Sequence, residues 1–332
     1  MKKPYGFTVH DIARLAGVSA MTISRAINNP EKVSPDTLAR VLEVIKTTGF
    51  VPNGMARGLR SSHAKLVAAL LPSLMSVVFQ ETVQSLSHRL QQLGYQLMIG
   101  QSGYDASQES ALLDALIQRR PDGIISIGRI RTAEGRQRLI ASGIPVVEAW
   151  DLPSTPLDML VGFSHEQIGK EVAEFFLAKG YLDVGVISAS DDRARRREHE
   201  FKITMETRRG ATVHVVLGPA PSTLQGGRTG LQELLKSRPK LRAVFCSSDS
   251  IAMGALLEAS VLGLKVPEDL AVVGLGDQEF AANLNPPLTT VRIDGTRIGR
   301  IAAELIVGRT EGKASHGNIV DVGFALIERQ ST

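Results

Sequence analysis

The strongest constraint on the fold is an alternation, from Leu66 onward, of short apolar runs with amphipathic segments of helical length. The apolar runs have the length of β-strands and are Leu66–Leu71, Gln96–Ile99, Gly123–Ile127, Pro145–Val147, Val184–Ile187, Val213–Leu217, Ala243–Cys246 and Ala271–Leu275. The helical segments between them include Phe79–Leu93, Gln108–Arg119, Gln167–Lys179, Leu224–Lys236 and Ser250–Leu262. Such alternation is typical of parallel sheets covered by helices on both faces. The sequence therefore predicts an α/β fold for residues 64–332.

This long region has room for two Rossmann-like lobes, and we expect the chain to pass between them near Phe163-Ser164. We expect further crossings near Val291–Gly295 and near Asp321. The first lobe would hold residues 64–163 and 293–320, and the second lobe residues 164–292 and 321–332. Open α/β sheets bind ligands beyond the carboxyl ends of their strands, so a small-molecule site is expected there.

The first fifth of the chain has a different pattern, which predicts three short helices. Hydroxyl residues stand where helix caps are expected, and these are Thr8, Ser19 and Ser34. Asp11 completes a capping box with the first of them, and Gly17 supplies the turn after the first helix. Two short helices joined by such a turn are typical of a helix-turn-helix. We therefore predict an all-α headpiece over residues 1–52, followed by a hinge helix or linker over residues 53–63.

The apolar and polar faces of these helices are consistent with that assignment. The predicted headpiece core consists of Ile12, Ala16, Val18, Ile23, Ile27, Leu38, Leu42 and Ile45, which recur at helical spacing. The second helix is then left with an outward face made of Ala20, Met21, Ser24, Arg25 and Asn28. In a helix-turn-helix this face enters the major groove of DNA, where Arg25 can donate two hydrogen bonds to a guanine. Three hydroxyl side chains are expected on phosphates, and these are Ser19, Thr22 and Ser24.

The distribution of charge also indicates a polyanionic partner. Residues 1–63 contain nine Lys/Arg and four Asp/Glu, so they carry more than the whole net charge of +4. Nucleic acid is the leading partner for a basic terminal module of this kind. A basic segment that is merely solvated is the alternative.

The headpiece resembles that of LacI/GalR-family repressors. The resemblance is carried by Thr8–Ser19, by Thr22-Ile23-Ser24-Arg25 with Asn28, and by Gly49–Asn53 with Ala56 and Leu59. It adds Thr8 to the expected DNA contacts, and it implies a hinge helix that pairs with its dimer mate. The hinge residues expected at the DNA are Asn53, Ala56, Leu59 and Arg60. Leu59 would be a wedge that opens a base step in the minor groove, and Gly54 and Gly58 weaken this hinge as a helix.

The same resemblance continues through the large domain in five further segments. These segments are Leu70–Leu74, Pro121–Ile125, Gly143–Val147, Ser248–Ala255 and Pro287–Val291. It implies a periplasmic-binding-protein-like core with an effector in the cleft between the lobes. It also implies a homodimer that binds a palindromic double-stranded operator.

The resemblance places effector contacts at strand ends and at the lobe crossing. Carried over by position, they are Ser76, Phe79, Phe163, Arg197, Ser248 and Asp249. Arg129, just past a strand end, adds a second cation, and Glu148 and Asp277 are further candidates. Many sugar-binding members carry an aspartate where Gly276 stands, so its loss favours an anionic ligand.

A segment around Glu148–Asp151 also resembles the gluconate-repressor branch of the family. We therefore expect a transcription regulator, acting as a repressor, whose effector is a sugar acid such as gluconate or a ketogluconate. A neutral sugar or another small metabolite is the alternative, because Asp277 and Glu148 can restore the lost negative charge.

Other classes of protein fit the sequence less well. Glu279 stands where a dinucleotide fingerprint beginning at Gly274 needs its third glycine, and no phosphate loop or nucleophile elbow is found, so an enzyme is not expected. The histidines have no metal-ligand spacing, Cys246 has the pattern of an inert strand residue, and no cofactor is expected. An exported solute-binding protein would carry a signal peptide and no headpiece. We expect a cytoplasmic, nucleoid-associated protein with no membrane segment.

Overall fold

A computed structural model describes residues 6–51, 64–74, 76–313 and 318–332. The predicted hinge contacts Asn53, Ala56, Leu59 and Arg60 lie outside the described residues. The chain divides into two compact units, Met1–Ala64 and Lys65–Thr332. The predicted architecture, an α/β fold of two lobes preceded by an all-α headpiece, is confirmed.

The headpiece contains three α-helices and one short 3-10 helix. The α-helices are α1 (Val9–Ala16), α2 (Ala20–Asn28) and α3 (Pro35–Thr48), and the 3-10 helix is Pro30–Lys32. Thr8 and Asp11 form the reciprocal capping box of α1, and Gly17 ends that helix in the left-handed conformation with φ 65°. Glycine reaches this conformation without the steric cost of a Cβ. The turn between α1 and α2 therefore forms where the sequence predicts it.

Two details of the headpiece differ from expectation. The Ser34 hydroxyl donates to Thr37 Oγ1 at 2.9 Å and makes no capping bond to the backbone. Leu42 is exposed, and its neighbour Val41 occupies the core with Ile12 and Ile23. Consecutive helical residues point about 100° apart, so the direction of a helix's buried face decides which of two adjacent apolar residues is covered.

The larger unit contains two six-stranded sheets. The first lobe has the strand order β11-β5-β4-β3-β1-β2, and the second lobe has the order β12-β10-β9-β8-β6-β7. The strands are β1 (Leu66–Leu71), β2 (Gln96–Gln101), β3 (Gly123–Ile127), β4 (Val146–Ala149), β5 (Met159–Gly162), β6 (Asp183–Ala189), β7 (Thr212–Gly218), β8 (Ala243–Cys246), β9 (Ala271–Gly276), β10 (Thr289–Arg292), β11 (Ile319–Asp321) and β12 (Ala325–Ile327). Pairing is parallel except between β10 and β12, a short antiparallel edge that the sequence did not predict.

Helices cover both sheets, and buried side chains fill the space between. The helices are α4 (Gln80–Gln92), α5 (Ala106–Gln118), α6 (Ala133–Ser142), α7 (His165–Ala178), α8 (Asp192–Glu206), α9 (Leu224–Ser237), α10 (Asp249–Val261) and α11 (Gly295–Thr310), with 3-10 turns at Val77–Phe79 and Glu279–Asn283. Cys246 is buried in β8. Among the described helices, none is long and apolar enough to cross a membrane.

One close helix contact positions the polar residues between the lobes. A Cβ placed on Gly169 of α7 would lie 2.2 Å from the carbonyl oxygen of Arg197 in α8. Only glycine permits so close an approach of the two backbones. The contact holds the middle of α8, around Arg197, against α7.

Candidate functional site

The outward face of α2 is the first candidate site. Met21, Arg25 and Asn28 are exposed, while Ile23 and Ala26 on the opposite face are buried. Met21 keeps 60% of its surface accessible, so it is available for contact with another molecule. The structure therefore brings together the side chains that the sequence predicts for base reading.

The polar residues around this face are already arranged by local hydrogen bonds. The Ser19 hydroxyl accepts from the Thr22 backbone N–H at 3.1 Å and lies 2.9 Å from the Thr22 hydroxyl. Asn28 Nδ2 donates to the Ser24 carbonyl at 2.8 Å, and the Thr8 hydroxyl donates to Asp11 at 2.6 Å. These bonds hold the start of α2 and its outward face in a defined conformation before any partner binds.

The second candidate site is a cavity of about 490 Å³ between the lobes of the large unit. It lies beyond the carboxyl ends of β1, β2, β3, β4 and β6, where open α/β sheets place their ligands. Polar residues that line it include Ser102, Tyr104, Ser126, Arg129, Ser190 and Arg193. Both lobes therefore contribute hydroxyl groups and guanidinium groups to the lining of this cavity.

Arg193 in the first turn of α8 is one of the residues that line this cavity. Its guanidinium lies 5.1 Å from the ring centre of Phe79, and its Nε is 3.6 Å from an oxygen of Asp191. Its Nη1 is buried and has no hydrogen-bond partner among the described residues. A buried donor without a partner costs free energy, so an acceptor supplied by a ligand would stabilise it.

Asp151, directly after β4, binds arginines from both lobes. Its carboxylate lies 3.0 Å from Nε of Arg129 in the first lobe and 2.6 Å from Nη2 of Arg196 in the second lobe. The Asp151 side chain is only 2% exposed, so these are charge-assisted contacts at low solvent access. Asp151 thus connects the cavity walls of the two lobes.

Arg197 lies behind the cavity wall instead of on it. The Arg197 side chain is buried, and Nη1 donates to His165 Nδ1 at 2.8 Å. His165 Nε2 is 3.0 Å from the Trp150 carbonyl oxygen, so it carries the proton. Burial and the neighbouring arginines lower the pKa of His165 well below its usual value, and burial lowers the pKa of Arg197 to about 10. The pair is therefore a neutral imidazole bonded to a buried guanidinium.

The predicted aromatic contacts cluster around one tryptophan. Phe79 and Phe163 lie 5.0 and 5.6 Å from the Trp150 ring, each edge to face. Phe163 is fully buried, whereas Phe79 also carries the Arg193 guanidinium. Ser76 is hydrogen-bonded to Tyr104, whose pKa is raised by burial. Ser76 and Phe79 are thus tied to residues of the cavity wall, and Phe163 supports them from the core.

The acidic candidates have other partners. Glu148 is fully buried, accepts from the Leu157 N–H at 2.8 Å and pairs with Arg136 at 3.2 Å. Burial raises its pKa. Asp277 pairs with Arg292 at 2.6 Å and with Arg329 at 2.7 Å. Each of these carboxylates is therefore paired with arginines of its own lobe. Neither residue offers a free carboxylate that would replace the aspartate many sugar-binding members carry at the position of Gly276.

Ser248 and Asp249 begin α10 beside Gly276. The Ser248 hydroxyl accepts from the Ile251 N–H and caps the helix. Asp249 accepts from the Thr290 hydroxyl and from the Gln278 N–H at 2.8 Å. Burial raises the pKa of Asp249 to about 6, although the Thr290 hydrogen bond lowers it in part. This carboxylate is close to its pKa near neutral pH and is held by neutral donors.

Several residues of the cavity were not predicted as contacts. Tyr104, Asp151 and Arg193 are among those that line it. Trp150, His165 and Arg196 were not predicted either, but they lie outside its lining: Arg196 pairs with Asp151, and His165 contacts the Trp150 carbonyl oxygen. Trp150-Asp151 stands two residues beyond the predicted strand Pro145–Val147, so the rule that gave Arg129 also pointed to this neighbourhood. Arg197 was the arginine of this run that the sequence predicted as an effector contact, but which arginine lines the cavity depends on how α8 packs on α7.

Two family models match this chain, one over the headpiece and one over part of the large unit. The model of bacterial regulatory proteins of the lacI family matches residues 8–53, and that of the periplasmic binding protein-like domain matches residues 173–332. The HTH-type transcriptional regulator GntR of Pseudomonas aeruginosa is 35% identical over 98% of this chain and 95% of its own length. The regulator of the same name from Escherichia coli K12 is 30% identical over 96% of both chains.

A solved structure extends the likeness to three dimensions. The crystal structure of a LacI-family transcriptional regulator from Silicibacter pomeroyi has a TM-score of 0.91 and 32% identity, over 98% of this chain and 99% of that one. The GntR relatives confirm the predicted resemblance to that branch, and these relatives are transcriptional regulators, which gives no support to an exported solute-binding protein or an enzyme. The chain therefore belongs to the lacI family of bacterial regulatory proteins and is a DNA-binding transcriptional regulator of the helix-turn-helix type.

Proposed function

We propose that this regulator is a repressor whose operator affinity is controlled by a sugar acid bound in the cavity between the lobes. The single observation that carries the proposal is the buried, unpartnered Nη1 of Arg193 at the cavity wall. A carboxylate is the acceptor that a guanidinium binds most strongly, through short charge-assisted hydrogen bonds. Gluconate and the ketogluconates combine such a carboxylate with hydroxyl groups.

The size and the remaining walls of the cavity suit the same class of ligand. A volume of about 490 Å³ lies within the range typical of small-molecule sites. The hydroxyl groups of Ser102, Ser126 and Ser190 can exchange hydrogen bonds with a polyhydroxy chain. Arg129 stands near the Arg193 end, where it adds positive potential. Arg197 supports this arrangement from behind through His165.

A neutral sugar is the second candidate, and a specific observation favours it. Glu109, Asp191 and Asp192 also line the cavity, and carboxylates of this kind accept hydrogen bonds from sugar hydroxyls. All three are already paired, Glu109 with Arg131 at 2.9 Å, Asp191 with Arg193 at 3.6 Å and Asp192 with Arg196 at 3.2 Å. Because they are partly neutralised, we favour the anionic ligand.

On the DNA side, we propose that a homodimer binds a palindromic operator in the cytoplasm, at the nucleoid, without a catalytic step or a cofactor. A two-fold dimer presents two copies of α2, so the operator repeats its half-site. Arg25 and Met21 would read base edges, Ala20 and Asn28 would border them, and Thr8, Ser19, Thr22 and Ser24 would contact phosphates. From the segment outside the described residues, Asn53, Ala56, Leu59 and Arg60 would enter the minor groove.

Calorimetry with gluconate, a ketogluconate and glucose tests the effector proposal. Wild-type protein should bind the acids at least about a hundredfold more tightly than glucose, because desolvated charge pairs couple by several kcal/mol. Arg193→Gln should erase most of this preference, whereas Arg138→Gln should keep it, since Arg138 forms an exposed pair with Asp114 outside the cavity. The variant Arg197→Gln shows whether Arg197 contacts the ligand directly or only supports the residues that do. Equal affinity of the wild type for gluconate and glucose would exclude the sugar-acid effector.

A further inference from the structure

The carboxylate of Asp151 binds Arg129 of the cavity lining and Arg196 next to it in the way that a ligand carboxylate would. It makes two contacts with the Arg196 guanidinium, at 2.6 and 3.0 Å, and a third contact with Arg129 at 3.0 Å. Paired contacts of this kind are the usual mode of guanidinium recognition of a carboxylate. We propose that Asp151 is an internal competitor for anionic ligands and thereby sets the affinity and selectivity of the cavity. This inference rests on the proposed sugar-acid function.

Arg196 can release Asp151 without losing all of its partners. Its Nη1 is also 3.1 Å from Glu166, and its Nε is 3.2 Å from Asp192, and both of these carboxylates belong to the second lobe. Asp151 comes from the first lobe, so its bond to Arg196 crosses the cleft. Exchange of Asp151 for a ligand carboxylate therefore keeps Arg196 paired while it changes a contact between the lobes.

Asp151 itself is held in place by the backbone around it. The Leu152 N–H donates to Asp151 Oδ1 at 2.8 Å. Gly162 lies against the Asp151 backbone, and a Cβ at that position would meet the Asp151 carbonyl oxygen at 2.0 Å. Because the carboxylate is pre-positioned, it loses little conformational entropy on binding the arginines, and it competes effectively with a free ligand.

The cavity arginines stand side by side on one helix face. Arg193 and Arg196 are three residues apart on α8, a spacing that places side chains next to each other. A ligand carboxylate bound to the free Nη1 of Arg193 therefore lies beside the Asp151–Arg196 pair. It feels the negative charge of Asp151, and Arg129, which Asp151 already pairs with, lines the same cavity.

The decisive variant is Asp151→Asn, which keeps the shape of the side chain and removes its charge. Gluconate should bind about tenfold more tightly or better than to wild type, because close charge pairs in such sites couple by more than 1.4 kcal/mol. Acetate, a plain carboxylate probe, should gain affinity as well, so that selectivity falls. Weaker or unchanged binding of both acids would show that Asp151 only positions the arginines, and would overturn the proposal.

Glu166→Gln is the matched control. It removes one negative charge from the same arginine, but Glu166 is 44% exposed and belongs to the second lobe. Its effect on acetate and gluconate should be several times smaller than that of Asp151→Asn. Suppose that wild type binds no gluconate, while Asp151→Asn binds acetate more tightly than Glu166→Gln does. The proposal that Asp151 competes with anionic ligands would then be supported, and the proposal of a sugar-acid effector would be contradicted. If Asp151→Asn and Glu166→Gln bind acetate equally well, the proposal that Asp151 competes with anionic ligands is overturned, and the proposal of a sugar-acid effector is not affected.

Wild-type protein provides a second test that does not depend on the folding of a variant. Trp150 is the only tryptophan in the chain and precedes Asp151, so its fluorescence reports on this carboxylate. Gluconate should change the emission at concentrations where calorimetry shows binding, and glucose should not change it. Binding of gluconate without a change in emission would show that Asp151 stays in place, which contradicts the proposal.

Discussion

The outward face of α2 and the inter-lobe cavity both depend on arginines, but they hold them in opposite settings. Arg25 on α2 is exposed and extends into solvent. Arg196 on α8 is half-buried and contacts three carboxylates, one of them from the other lobe. The exposed arginine is available to a large, rigid polyanion such as DNA. The paired arginine instead responds to a small anion that can enter the cavity and exchange with an internal carboxylate.

The difference predicts that a paired arginine of the cleft and an exposed arginine contribute unequally to stability. Arg196→Ala should lower the free energy of unfolding of the large unit by about 3 kcal/mol, because it leaves the buried Asp151 with a single arginine. Arg195→Ala, an exposed neighbour on the same helix, should change it by less than about 0.5 kcal/mol. Urea unfolding followed through Trp150 measures both. If the two variants are equally stable, the Asp151–Arg196 pair contributes no more to stability than an exposed charge does.

The buried carboxylate of Asp249 predicts a further difference between buried and exposed charges, which appears as a dependence of stability on pH. Burial raises the pKa of Asp249 to about 6, above the value of about 4 for an unfolded aspartate. The folded state therefore holds this proton more tightly, and its contribution to stability is present below pH 4 and is lost as the pH rises to about 6. The expected loss is about 3 kcal/mol.

Asp249→Asn should remove this part of the pH dependence and raise the free energy of unfolding at pH 7. Unfolding in urea at pH 4.5 and at pH 7 compares the variant with wild type. Asp114→Asn, a change at an exposed carboxylate, is the control and should leave the slope unaltered. An identical slope in Asp249→Asn and wild type would argue that this group titrates normally.

The smallest expected change concerns DNA. Arg25→Ala should cost about 1–3 kcal/mol at one base pair of each half-site, and should relax the preference there. Ser24→Ala should instead weaken binding to all sequences by a similar factor, as expected for a phosphate contact. Fluorescence anisotropy with an operator series that varies one base pair at a time distinguishes the two. Uniform weakening by Arg25→Ala would place this arginine on the phosphate backbone.

Much of the fold was predictable because its signals are local. The capping box of Thr8 and Asp11 and the turn at Gly17 involve residues within ten positions of each other. The strand-length apolar runs predicted eight of the strands in nearly correct positions, since a strand buried on both faces must be apolar along its length. The sequence analysis did not predict β5, β10, β11 or β12, which are only three or four residues long, and β11 and β12 are also half-exposed.

The cavity was less predictable, because its contacts join residues that are far apart in the chain. The sequence alone determined that a basic helix-turn-helix precedes two α/β lobes and that arginines stand near the strand ends. Only the tertiary structure decided that Arg193 faces the cavity, that Arg197 is buried against His165, and that Asp151 binds Arg196 from 45 residues away. Periodicity specifies which face of a helix is buried, but charge pairing across a cleft depends on the relative placement of two separately folded sheets.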